Sequence, residues 1–151
     1  MNGDVYVIPP QGDMTETEYV GSAPSLNDVY TLLGSSQVQR VTGLTTWEQD
    51  GKIVPAAACC CGDGETRGLA LNQAGMNLWQ VALMRAGAPA GGGLYDTKTS
   101  PYYALYGNVV LGCGDEEFMA AIHALFPPPP PMPQAAGLNE IGVKKDVPEM
   151  R

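Results

Sequence analysis

Four cysteines and one histidine are the side chains in this chain with the strongest potential for chemistry. Three of the cysteines are consecutive, Cys59, Cys60 and Cys61, and the fourth is Cys113. Alternate side chains of an extended strand share a face, so Cys59 and Cys61 point one way and Cys60 the other. With Cys113 and His123, the pair on one face could supply four ligands to zinc, which binds sulfur and imidazole nitrogen.

Two other interpretations compete with a metal site. Cys113 and His123 could form a thiol–imidazole pair, since nucleophilic catalysis needs a thiolate beside a base. Cysteine is also among the most often buried residues, and the alanines 56–58 next to the triplet are typical of a strand packed closely on a helix. The cysteine spacing matches no known zinc motif, so we favour buried structural thiols, with no cofactor and no enzymatic activity.

A group of tyrosines is the strongest sign of a binding surface. Tyr95, Tyr102, Tyr103 and Tyr106 lie in or beside a segment rich in glycine, proline and serine. Tyrosine offers a large contact area at a low entropy cost, so loops of this kind often bind partner proteins. The competing interpretation is that Tyr103 and Tyr106 cover the core.

A proline run marks the start of a C-terminal tail. Residues 127–133 predict a polyproline II segment interrupted only by Met132. Such a run either docks in an aromatic groove of another protein or acts as a stiff spacer that holds residues 134–151 away from the domain, and we favour the spacer. The predicted partner-binding prolines are Pro127, Pro128, Pro129, Pro130 and Pro131.

The charge of the chain excludes several classes of partner. Eight basic residues stand against sixteen acidic ones, a net charge of −8. The whole excess lies in residues 1–126, whereas residues 127–151 are neutral overall. Surplus negative charge disfavours direct binding to nucleic acid or to anionic membrane. With no run of about 18 apolar residues and no secretory-type start, we expect a cytoplasmic location with reduced thiols.

Three helices are indicated by their start and stop signals. Ser25, with an acid three residues later, predicts a capping box, and Gly34 ends that helix. Asn72 is the predicted N-cap of a second helix. Asp115 caps the third, which Pro127 must stop because proline lacks the amide donor.

Strands are predicted from short runs of β-branched and small residues. A glycine-rich turn at 62–65 joins two of them into a hairpin. Residues 11–24 read as a loop, with a short strand near Tyr19 as an alternative. The predicted strands are residues 5–8, 38–44, 52–61, 66–71 and 109–111.

The order of these elements resembles a group of small uncharacterised domains from phages, plasmids and large DNA viruses. Its pattern is a strand, an acidic glycine turn, a Gly-Leu-x-Leu-Asn strand end, here 68–72, and a later aromatic-Gly-x-Val-Val strand, here 106–110. An acidic helix follows at 115–126, and the similarity covers most of residues 4–126. The resemblance implies a fold and a viral or mobile-element context, and no activity that can be carried over.

We therefore expect an α+β domain over residues 1–126 and a proline-rich tail over 127–151. The domain should hold a four- or five-stranded, mostly antiparallel sheet with two or three helices on one face. The first functional hypothesis is a non-enzymatic protein-binding domain that uses the tyrosine loop and the tail. One alternative is a structural component of a larger assembly, anchored by the tail; another is a small-ligand or nucleotide binder, or a hydrolase.

Overall fold

The computed structural model describes residues 1–86 and 104–127, and within them the chain forms six strands and three helices. The predicted α+β class is confirmed. The elements in chain order are β1 (Asn2–Ile8), β2 (Thr15–Val20), α1 (Leu26–Leu33), β3 (Val38–Arg40), β4 (Thr46–Gln49), β5 (Lys52–Cys61), α2 (Gln73–Arg85), β6 (Val109–Gly114) and α3 (Glu116–Leu125).

The six strands form one sheet in the order β2-β1-β6-β5-β3, with β4 paired to β5 outside this path. All the described ladders are antiparallel, as predicted, although six strands exceed the expected four or five. The first half of β5 pairs with β4, and the second half lies between β6 and β3. The long strand β5 therefore connects the two parts of the sheet.

The expectation that the helices share one face of the sheet is wrong. Helix α2 packs on one face, over a core that includes Tyr6, Ala58 and Cys60. Helices α1 and α3 pack on the other, over Ala57 and Cys59. Consecutive strand residues point to opposite faces, so the small side chains of β5 are buried on both sides, and the unbroken run from 56 to 61 reflects this.

The predicted hairpin between residues 52–61 and 66–71 is also wrong. Residues 62–68 form turns, and beyond them only Leu71 makes an isolated bridge, with Tyr106. The hairpin partner of β5 is β4, through a tight turn at Asp50 and Gly51 in which both φ angles are positive, 52° and 80°. Asp-Gly fits this turn because glycine enters the left-handed region without a steric clash and aspartate does so more readily than most residues.

The three helix starts are confirmed. The Ser25 hydroxyl accepts from the Asp28 amide at 3.1 Å, and Asp28 accepts from the Ser25 amide at 2.9 Å, which completes the capping box. Asn72 and Asp115 accept from the amides of Gly75 and Phe118 at 2.7 and 2.9 Å. Among the helices of residues 1–86 and 104–127, none has the length and apolar character needed to cross a bilayer.

Residues 11–24, predicted as a loop with a short strand near Tyr19 as the alternative, contain the six-residue strand β2, which includes Tyr19. It pairs with β1 from Asn2↔Val20 to Val7↔Thr15 and forms one edge of the sheet. Its first four residues, Thr-Glu-Thr-Glu, alternate two polar residue types and lack the apolar alternation by which strands are detected.

Candidate functional site

A groove lies between α1, α3 and the edge strand β3. It has a volume of about 690 Å³ and a mixed lining in which apolar side chains predominate. Leu26 and Tyr30 come from α1 and Val38 from β3, whereas Leu125 and Phe126 come from the end of α3. The capping box at Ser25 fixes the first turn of α1 and so positions Leu26.

Arg40 is the main polar group of this groove. Its guanidinium donates to the carbonyl oxygens of Pro127 at 2.7 Å, Phe126 at 2.9 Å and His123 at 3.1 Å. The last carbonyls of a helix have no partner within the helix, and a cation there is favoured by the helix dipole. Arg40, which lies on the neighbouring strand β3, therefore caps the C-terminal end of α3.

Arg40 also contacts the two aromatic side chains beside it. Its Nη1 lies 2.9 Å from Nδ1 of His123, and because arginine only donates, that nitrogen accepts the bond. Its Cζ lies 5.9 Å from the ring centre of Phe126, within the range of a cation–π contact. The exposed His123 is thus bound to an arginine, on the opposite side of the sheet from Cys113, which packs in the core under α2.

The proline segment begins in this groove. Pro127 is half-buried, lines the groove and accepts a bond from Arg40, so the direction in which the chain leaves α3 is fixed. Of the other predicted partner-binding prolines, Pro128 to Pro131 lie outside the described residues. The sequence predicted the stop at Pro127 but gave no signal for Arg40, a lone cation in an irregular strand.

The predicted tyrosine group is only partly described. Tyr95, Tyr102 and Tyr103 lie outside the described residues. Tyr106 is half-buried and pairs with Leu71, and its Cβ lies so close to Gly64 that a side chain there would collide with it. Tyr106 therefore covers the turn that follows β5.

All four cysteines are buried, as the favoured interpretation predicted. Burial raises the pKa of Cys59 strongly, that of Cys60 to about 12 and that of Cys113 to about 11. These thiols are protonated at neutral pH and act as small core side chains. Within residues 1–86 and 104–127, His, Cys, Asp and Glu side chains form no group of three that could hold a metal ion.

Cys61 differs from the other three because it has polar neighbours. Its thiol donates to Asp63 at 2.6 Å, and Arg67 lies 3.5 Å from the sulfur. Ser35 also donates to Asp63, at 3.3 Å. The Cys61 bond, the largest contribution, together with Arg67 and Ser35, lowers the pKa of the Asp63 carboxyl, and the cluster ties the turn after β5 to the end of α1.

A second polar cluster, which sequence reasoning missed, lies on the α2 face at the β2 edge. Gln49 donates to Asp4 at 2.9 Å and to the Tyr6 hydroxyl at 2.8 Å, and Tyr6 donates to Glu16 at 3.3 Å. Desolvation and the adjacent Asp4 carboxyl raise the pKa of Glu16. Carboxylates are therefore crowded on this side of β2.

No family model matches this chain, and neither a curated protein nor a solved structure matches it. The resemblance to phage, plasmid and large-virus domains therefore stays a prediction.

Proposed function

We propose that this protein is a non-enzymatic protein-binding domain that holds its partner through the groove between α1 and α3 and through the proline-rich tail. The observation that carries the proposal is the position of Pro127. Arg40 fixes the first residue of a predicted stiff segment on the wall of an apolar groove. A partner that binds the tail is therefore held close to the groove, so the tail contact and the groove contact strengthen each other.

The groove suits an apolar surface of the partner. Leu26 is 42% exposed although it belongs to the first turn of a well-capped helix, and Tyr30, Val38 and Leu125 line the same groove. The guanidinium nitrogens of Arg40 are mostly occupied by carbonyls in the last turn of α3 and just beyond it, so the groove offers more apolar area than free charge. A hydrolase has less support, because three buried thiols have raised pKa values and His123 is bound to Arg40.

Site-specific photo-crosslinking tests this proposal in the full chain. A photoreactive residue replaces Leu26 in the groove, and in the control it replaces Val81, which is 48% exposed on α2 at the opposite face. We expect a protein adduct from the Leu26 position in the native host, and a much weaker one from Val81. Equal adducts at the two positions, or none at Leu26, would overturn the proposal.

A further inference from the structure

The groove between α1 and α3 has no acidic residue in its lining, although the chain contains sixteen acids. Both helices carry their own acids in the first turn, and the polar edge of the groove lies at the opposite end of α3. The polar side chains of the lining can all donate a hydrogen bond: Tyr30, Ser36, Arg40 and His123. The groove therefore suits a ligand group that accepts hydrogen bonds.

Arg40 keeps a net positive charge in this groove. A guanidinium has five N–H groups, and four of those of Arg40 bond to the carbonyls of residues 123, 126 and 127 and to the His123 ring. The end of a helix amounts to about half a negative elementary charge, which does not cancel a formal cation. Within the described residues Arg40 forms no ion pair. One N–H of Nη1 and part of the positive charge are thus left for a ligand.

His123 supplies a second donor beside Arg40. Its Nδ1 accepts from Arg40, so the neutral ring carries its proton on Nε2. The residue is exposed, which leaves this N–H open to a ligand. An ionised carboxylate only accepts hydrogen bonds and carries one negative charge, so it matches both the donors and the charge at this edge.

The apolar part of the lining selects a carboxylate on a peptide over a free anion. The groove has a volume of about 690 Å³, and its walls include Leu26, Val38 and Leu125. A small anion would leave these side chains in water, whereas apolar residues of a peptide would cover them. A phosphorylated residue brings close to two negative charges, which one partly compensated guanidinium does not balance.

We infer that the partner segment bound in this groove places an aspartate or glutamate side chain against Arg40 and His123, between apolar residues that cover the walls. The inference rests on the proposed function and states the chemistry of its partner. The net charge of −8 does not oppose it, because charges more than about 8 Å away are largely screened at physiological salt. Asp28, the acid of α1, is held at the helix start by the Ser25 amide.

Peptide selection on the immobilised full chain tests the inference. The probe is a displayed library of random peptides about twelve residues long, and peptides that also bind Leu26→Asn are removed. This substitution takes an exposed apolar contact out of the groove without changing its charge. We expect the remaining peptides to carry an acid between apolar residues, with acids enriched at least threefold over the library. Remaining peptides that are basic or uncharged would overturn the inference and leave the proposed function standing.

A single added carboxylate then tests the contact itself. His123→Glu puts an acid beside Arg40, and the control Asn77→Glu makes the same charge change at an exposed position on α2, on the opposite face. At pH 8, fluorescence polarisation with the tightest peptide should show at least tenfold weaker binding for His123→Glu and less than a twofold change for Asn77→Glu. Equal losses for the two variants would overturn the inference.

The matching change in the peptide completes the test. Replacing its acid by the corresponding amide should weaken binding to the unmodified chain about tenfold, and His123→Glu should then cost less than twofold more. An amide peptide that binds as well as the acidic one would contradict the inference.

A selection in which no peptide distinguishes the unmodified chain from Leu26→Asn also makes the inference wrong. This is the result expected if a second copy or the tail of the same chain fills the groove. Photo-crosslinking at Leu26 then judges the proposed function separately, because an adduct with a different protein would support it even without a selected peptide.

Discussion

The two faces of the sheet are built from alternate residues of the same strands, yet they are held in different ways. On the α2 face, the buried Asn72 donates to carbonyls of β1 and of Gly107, which precedes β6, and the Trp79 indole donates to the Thr42 carbonyl at 2.8 Å. The α1/α3 face is apolar at its centre, around Phe118, and the hydrogen bonds of Arg40 lie at its edge. Replacing a polar residue should therefore lower the free energy of unfolding most where the lost hydrogen bonds are buried.

The largest effect is expected at Asn72, which is fully buried. Its Nδ2 donates to the carbonyls of Ile8 and Gly107, each at 2.8 Å, and its Oδ1 caps α2. Asn72→Asp keeps the size of the side chain but replaces the amide group that donates both bonds by a carboxylate oxygen, which can only accept. That oxygen would face two carbonyl oxygens, and the change should lower the free energy of unfolding by about 4 kcal/mol. Urea denaturation measures this.

The matched control for this change is the next residue. Gln73→Glu replaces an amide by a carboxylate at an exposed position in the first turn of α2, where negative charge is favourable. It should leave the free energy of unfolding nearly unchanged. If Asn72→Asp costs no more than Gln73→Glu, the α2 face does not depend on its buried polar bonds.

A smaller loss is expected on the other face at Arg40. Arg40→Ala removes the donors to three carbonyls at the end of α3 and should cost about 2 kcal/mol. Arg40→Lys should recover only part of this, because lysine cannot reproduce the planar arrangement of donors. Arg85→Ala, which removes an exposed arginine from α2, is the control. Faster hydrogen exchange at the end of α3, and not in α2, would show that the effect is local.

The smallest effect is expected at Glu16, and it has the opposite sign. The raised pKa of Glu16 means that its charged form costs stability at neutral pH, and that this cost disappears as pH falls through the folded value toward the unfolded value of 4.5. Glu16→Gln keeps an acceptor for Tyr6 and should raise Tm slightly at pH 7 in dilute protein. The difference should shrink by pH 4; a difference that grows as pH falls would contradict this explanation.

The candidate site could be predicted only where its signals were local. The stop of α3 and the start of the tail at Pro127 follow from the properties of proline itself. Arg40 binds residues 83 to 87 positions away in sequence, so nothing near it indicates its role. The first four residues of the edge strand β2 alternate threonine and glutamate and give no apolar signal, so the sequence indicated a strand only near Tyr19.

The sequence by itself determined the three helix starts, the ends of α1 and α3, the acidic charge and the burial of the cysteine run. Capping residues act on amides within three positions, and small apolar residues are buried in almost any arrangement, so these features do not depend on distant parts of the chain. Only the tertiary structure decided which strands pair, that helices cover both faces and that Arg40 meets the end of α3. Each of these depends on contacts between residues far apart in sequence, where many pairings satisfy the same local pattern and packing selects one.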